Sequence, residues 1–188
     1  MMIPPAYHER VTVADGIRLC LRPIVPADKA NLQSGFQRLS ALSRYRRFFN
    51  LKAELTPHDL RFLTECDGID HAALGAFELN GAGSEGDAVG VSRYIRFPHD
   101  PTSAEFSLAV TDDYHAKGIG RLLLQRLLAM AAEHGIDRFQ GYLLPENERM
   151  ANLIKGIRQA ARFRREDGLV KVCLPTVDNP ASVLCASS

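Results

Sequence analysis

Apolar and polar residues alternate along Arg10–Val13 and Ile17–Ile24, on either side of Ala14-Asp15-Gly16. That period of two predicts an opening hairpin or two short strands. The period then lengthens. From Pro26 the stretch PADKANLQSGFQRLS reads as a helix, with proline in the first turn where its missing N–H does no harm. SALSRYRRFF predicts a second helix, and Thr56 followed by Pro57 caps a third that Gly68 stops. DHAALGAFEL and DAVGVSRYIRF are strands joined across the glycine-rich NGAGSEGD, a hairpin tip. In the next strand, SAEFSLAV, Phe106, Leu108 and Val110 share one face and Glu105, Ser107 and Ala109 the other. Leu123, Leu127, Met130 and Ala131 then recur at helical spacing over Gly118–His134, with Leu124 and Leu128 widening the stripe. Gly135 ends that helix, DRFQGYLL is a strand, and PENERMANLIKGI a helix with Pro145 near its start. ARFRRE and LVKVCL close the pattern as a hairpin around Asp167-Gly168.

The order ββ-ααα-βββ-α-β-α-ββ predicts one α+β domain. Its central mixed, mostly antiparallel sheet is expected to hold six to seven strands, flanked by four to five helices. Residues 1–16 read as an N-terminal segment that includes a strand, 17–175 as the domain itself, and 176–188 as a loose tail. A chain of 188 residues suffices for one domain with a proper core. Its 23 lysines and arginines nearly cancel 22 acidic residues, so no global field points to nucleic acid. No apolar run approaches a membrane span, and MMIPPAYHER is no signal peptide. The four cysteines form no CxxC pair, which reads as reduced thiols in a cytoplasm. The histidines show no paired-ligand spacing, so no metal is expected.

Chemistry concentrates in TDDYHAKGIGRLLL, where two glycines directly precede a leucine-rich helix. A helix N-terminus carries orphan N–H donors and partial positive charge, and binds phosphate. Gly118 and Gly120 leave such a ligand unobstructed, and Lys117 and Arg121 add charge. A Walker loop is excluded, because GxxxxGK[ST] is absent. A dinucleotide fingerprint lacks its third glycine, since Leu123 stands there, and the acid Asp137 falls at the start of the next strand instead of its end. A pyrophosphate cradle for coenzyme A and a glycine-eased helix start remain.

The stretch AEFSLAVTDDYHAKGIGRLLLQRLL resembles motif A of the GNAT (Gcn5-related N-acetyltransferase) superfamily, whose Q/R-x-x-G-x-G/A loop is here His115-Ala116-Lys117-Gly118-Ile119-Gly120. LRPIVPAD, LSALSRYRRFF, PENERMANLIKG and the closing hairpin extend the likeness from about Leu19 to Leu174, closest to the catalytic domain of Pat-type protein lysine acetyltransferases. The resemblance implies a GNAT fold over 17–175, acetyl-CoA as co-substrate, and an amine acceptor, either a protein lysine or a small molecule. It implies cofactor contacts by Ala109, Val110, His115, Ala116, Lys117, Gly118, Ile119, Gly120, Arg121 and Asn147, mostly through backbone N–H groups. It leaves a homodimer open, with no membrane or nucleic-acid partner. Two departures stand out: His115 replaces the usual glutamine or arginine, and ANLIKGIRQA lacks the tyrosine that many relatives use as general acid.

Acetyl transfer needs a neutral amine, and a lysine of pKa ~10.4 is neutral only about once in 2,500 molecules at pH 7. A carboxylate that accepts the proton is therefore expected. Glu105 is the candidate, because its strand leads into the cofactor loop and the resembled enzymes place their base in the same AEF context. An exposed strand glutamate and, for Asn147, a helix cap are the plain alternatives. The arginines around residues 44–47 and 158–165 read as solvated faces. A non-catalytic acyl-CoA-binding module is the rival from another class.

Overall fold

The computed structural model describes residues 7–49 and 52–177, so the predicted tail from Asp178 onward lies outside the described residues. The elements follow the predicted order. β1 (Glu9–Thr12) and β2 (Arg18–Pro23) form the opening hairpin, and α1 (Lys29–Gln37), α2 (Ala41–Phe48) and α3 (Pro57–Thr64) follow. Then come β3 (His71–Leu79), β4 (Glu85–Phe97), β5 (Asp100–Val110), α4 (Ile119–Glu133), β6 (Arg138–Leu143), α5 (Glu148–Ile157), β7 (Arg162–Glu166) and β8 (Leu169–Pro175).

All eight strands join one sheet in the order β1-β2-β3-β4-β5-β6-β8-β7, more than the six to seven expected. The difference lies at the two ends. β1 pairs with β2 from Glu9↔Leu21 to Thr12↔Arg18, and β7 pairs with β8 from Arg162↔Cys173 to Glu166↔Leu169. Both terminal hairpins therefore extend the sheet. Only β5 and β6 run parallel.

Each face of the sheet carries its own core. On one face Leu123, Leu124, Leu127 and Leu128 of α4 are fully buried against Leu74, Val89, Phe106 and Phe139. Burying each leucine contributes roughly 2 kcal/mol. On the other face Leu32 and Phe36 of α1 and Leu63 of α3 pack on Ala73, Phe77 and Ala88.

Several boundaries differ from the sequence reading for local reasons. Pro26–Asp28 is a 3₁₀ turn, and α1 starts only at Lys29. Asp28 accepts two 2.8 Å bonds from the Arg22 guanidinium and a third from the Val25 N–H. Burial raises the Asp28 carboxyl, but Arg22 and Val25 outweigh it and hold it below the usual carboxylate range. Thr56 and Asp59 form a reciprocal capping box on α3. That helix stops at Thr64, before Gly68, and Asp67 Oδ1 accepts the N–H groups of Ile69, Asp70 and His71 to build the following turn. Pro145 lies outside α5, which Asn147 caps. Cys20 and Cys66 carry free thiols, whereas Cys173 is disulfide-bonded and departs from the expectation of reduced cysteines.

Candidate active site

β5 and β6 are paired only where Ser103, Ala104 and Glu105 face Arg138, Phe139 and Gln140. Beyond Glu105 the strands part, because β5 stays in register with β4 up to Gly90↔Val110 while β6 follows β8 up to Leu143↔Val170. The parting leaves an unpaired strand edge on each side. Phe106 lies over Gly141, where a Cβ would meet its ring at 3.3 Å, and stacks on Phe139 with centroids 5.4 Å apart.

The β4–β5 ladder decides which edge groups are free. Thr111 N–H donates to the Val89 carbonyl at 2.9 Å. In an antiparallel pair every second residue repeats that bonding, so Ala109, Ser107 and Glu105 also spend their backbone groups on β4. Leu108 and Val110 turn theirs toward the parting. The expected donor at Ala109 is thus committed to the sheet, and the positions on offer are Leu108 and Val110. The Val110 carbonyl is taken by His115, whose Nε2–H donates to it at 2.9 Å. The imidazole therefore ties the loop to the end of β5.

The loop itself alternates hand. Ala116 and Gly118 adopt left-handed backbone at φ 61° and φ 86°, an arrangement that turns successive N–H groups into a concave anion cradle. Gly118 is the N-cap of α4 and offers no side-chain cap, so the first-turn N–H groups keep neither an intrahelical nor a capping acceptor. Glu105, Ala109, Val110, His115, Ala116, Gly118, Ile119, Gly120, Arg121 and Asn147 all line one cleft of about 660 Å³. Lys117 does not; its ammonium is paired with Asp15, away from the cleft. Ile119 is buried and contributes backbone only. Arg121 donates to the Gly156 carbonyl at 3.0 Å, bracing α4 on the end of α5. Asn147 Oδ1 accepts the Met150 N–H at 3.4 Å, the capping role that was its plain alternative.

Residues 40–156 match the pattern that defines the acetyltransferase (GNAT) family. The chain belongs to that family. This GNAT domain is 33% identical over 171 residues to the acetyltransferase Pat of Mycolicibacterium smegmatis, a match that covers 89% of the chain and 49% of the relative. The chain thus spans about half the length of that protein. Among solved structures it superimposes on the GNAT domain of S. lividans PAT with a TM-score of 0.81, at 28% identity, covering 92% of this chain and 98% of that one. The cAMP-binding acyltransferase from Mycobacterium smegmatis matches with a TM-score of 0.62 at 26% identity, over 94% of this chain and 51% of its own.

The rest of the GNAT domain's cleft adds what the sequence did not reveal. Glu105 is exposed, and its carboxylate makes no hydrogen bond or ion pair among the described residues. Arg46 and Arg47 of α2 line the cleft near it, where a solvated face was expected. Arg44 is also occupied, donating to the carbonyls of Leu39, Gln37 and Ala53 to hold the α1–α2 turn. Arg164 and Arg165 of β7 are exposed. Two tyrosines line the cleft. The Tyr114 hydroxyl already donates to Glu78 at 2.5 Å, whereas Tyr142 of β6 is exposed and its hydroxyl makes no hydrogen bond among the described residues.

Away from the cleft, His8, Cys20 and Glu85 bring ligand atoms within 4.8 Å of one another. No linear spacing announces them, because they are contributed from the start of β1, from β2 and from β4. Glu85 is paired with Arg22 at 2.9 Å, and burial, then the bond to Glu85, pushes the Cys20 thiol up to about 11. Burial raises the Glu85 carboxyl, but its bonds from Arg22 and Cys20 outweigh it and hold it below the usual carboxylate range, beside a protonated thiol. No helix among the described residues is long and apolar enough to cross a membrane.

Proposed function

We propose that the domain transfers an acetyl group from acetyl-CoA to an amine by direct attack in a ternary complex, with a protein lysine as the first-choice acceptor. One observation carries this reading: an uncapped helix N-terminus behind a left-handed loop opens on the same cleft as the unpaired carboxylate of Glu105. The cradle formed by Ala116–Gly120 takes the pyrophosphate. The pantetheine arm then lies along β5, bonding to the free backbone groups of Leu108 and to the Val110 N–H, with the thioester at its inner end.

Glu105 accepts a proton from the acceptor ammonium, directly or through water. The freed amine lone pair attacks the thioester carbonyl, and the carbon–sulfur bond breaks as the amide forms. The coenzyme departs as thiolate and takes up a proton. The lysine preference rests on the sequence resemblance to Pat-type protein lysine acetyltransferases.

Labelled acetyl-CoA, incubated with the domain and a panel of amines and proteins and read by mass spectrometry, tests the reaction. Glu105→Gln tests the base. Its acetyl-CoA affinity should stay near wild type while turnover falls by about 10²–10⁴-fold, with partial recovery at high pH. Wild-type turnover at neutral pH would place the base elsewhere. Acetyl-CoA binding with no acceptor labelled across the panel would favour a binding module.

A further inference from the structure

A second cavity of about 70 Å³ shares Leu39, Arg47, Phe48, Ser107 and Ala109 with the main cleft and runs inward between α1, α3 and β4. Its wall is apolar, with Leu32, Phe36 and Leu63 among the lining residues, except for two guanidinium groups and the polar residues near its rim. Arg93 is buried and held in place: Nη2 donates to the Leu63 carbonyl at 2.8 Å, and Nη1 donates to His71 Nε2 at 2.6 Å. Burial and this cation depress the His71 imidazole, keeping it neutral as the acceptor.

Arg47 is different. Its guanidinium lies over the Phe48 ring at 4.9 Å and makes no hydrogen bond or ion pair among the described residues. Its charged neighbours are Arg93 and Glu105. Burial, reinforced by Arg93, brings it down to about 10, still cationic at neutral pH. The inner end of the cleft therefore holds two cations against one carboxylate, and that carboxylate also faces open solvent. A half-buried guanidinium with its planar fork unfilled, in the wall of the cleft, is a site for a carboxylate.

The cavity's size narrows the ligand. At 10–15 Å³ for each water-sized occupant, 70 Å³ holds about five to seven. A carboxymethyl group added to an acetyl methyl fits that space. A purely apolar extension would fit as well, but would cover Arg47 without giving it a partner.

We propose that this inner cavity reads a carboxylate at the far end of the acyl chain, so that the domain accepts short ω-carboxyacyl thioesters of coenzyme A, succinyl above all, through Arg47. The proposal rests on the coenzyme A reading above, which brings the thioester to Ser107 and Ala109 at the cavity mouth. The bond changes are the same as for acetyl: the amide forms, the carbon–sulfur bond breaks, the coenzyme leaves as thiol, and the distal carboxylate is unchanged. A succinylated lysine would carry a negative charge where the free one carries a positive charge.

Binding calorimetry with succinyl-CoA, acetyl-CoA and 4-methylpentanoyl-CoA, the last a neutral mimic of the succinyl shape, needs no acceptor. Wild type should bind succinyl-CoA at least about tenfold more tightly than 4-methylpentanoyl-CoA, the worth of a charge-assisted pair. Arg47→Gln should abolish that preference, and Arg47→Lys should retain part of it, with folding checked by thermal unfolding. Equal wild-type affinity for the two thioesters, or a preference untouched in Arg47→Gln, overturns the proposal. So does a loss in Arg47→Gln that is the same for all three. If acetyl-CoA binds while the preference is missing, this inference alone fails; if no thioester binds, the coenzyme A reading fails with it.

Discussion

Gly120 separates a glycine needed by the fold from one needed by a ligand. It is the second residue of α4, and a Cβ placed there would lie 3.5 Å from Leu108 Cδ2 and Leu153 Cδ2 and 3.8 Å from Val110 Cγ2. These are ordinary contacts, so Gly120→Ala meets no clash within the protein. Alanine also costs less entropy in a helix than glycine, by roughly 0.5–1 kcal/mol in an interior position and less in a first turn. Gly120→Ala should therefore raise the melting temperature of the free protein by about 1–3 °C.

Gly120→Val goes further. Its two methyl groups cannot fit between Leu108 and Leu153 and must enter the cleft, over the first-turn N–H groups. Losing even one phosphate bond to those donors costs roughly 1.5–3 kcal/mol, a ten- to hundredfold rise in the Kd for acetyl-CoA. Gly118→Ala supplies the contrast. No atom lies within 4 Å of its added Cβ, but φ of +86° strains any side chain by roughly 1–2 kcal/mol, so it should melt lower. Thermal unfolding without ligand and titration calorimetry with acetyl-CoA give both readings. Wild-type affinity in a folded Gly120→Val would refute the cradle. A lowered melting temperature in Gly120→Ala would show that the glycine serves packing.

His115→Gln should be mild, within about threefold in acetyl-CoA affinity, because the amide N–H can take over the bond to the Val110 carbonyl. Complete loss of binding by calorimetry would mean that the imidazole itself contacts the ligand. Tyr142→Phe should lower kcat by about tenfold with little change in acetyl-CoA affinity if its free hydroxyl returns a proton to the departing thiolate. An unchanged kcat would remove Tyr142 from the reaction.

The fold was legible wherever a local rule decides. Thr56 and Pro57 announce α3, and the leucine stripe of α4 and the Asp167-Gly168 turn likewise need only near neighbours. The end of α3 was misjudged because two devices compete there. Gly68 does adopt positive φ, but Asp67 gathers three N–H groups first and turns the chain ahead of it. The strand count was short at the sheet's end. The opening hairpin of β1 and β2 is local, but that β3 carries it into the central sheet depends on a partner distant in sequence.

The cleft divides in the same way. Its loop end is one continuous segment, Thr111–Arg121, and the glycines of that segment leave a trace in sequence. The inner end is assembled from α2, β4, β5 and β6, and each contributes residues with an innocuous local reading. Arg47 sits in a run of arginines that ordinarily faces water. Only the closing of α2 over β5 puts it beside Arg93 and Glu105 and strips it of other partners. The choice of backbone donor shows the same limit. Ala109 and Val110 look equivalent in a strand, and the single bond from Thr111 to Val89 decides that one faces β4 and the other the cleft. Register, a property of two strands at once, is what converts a readable motif into an oriented site.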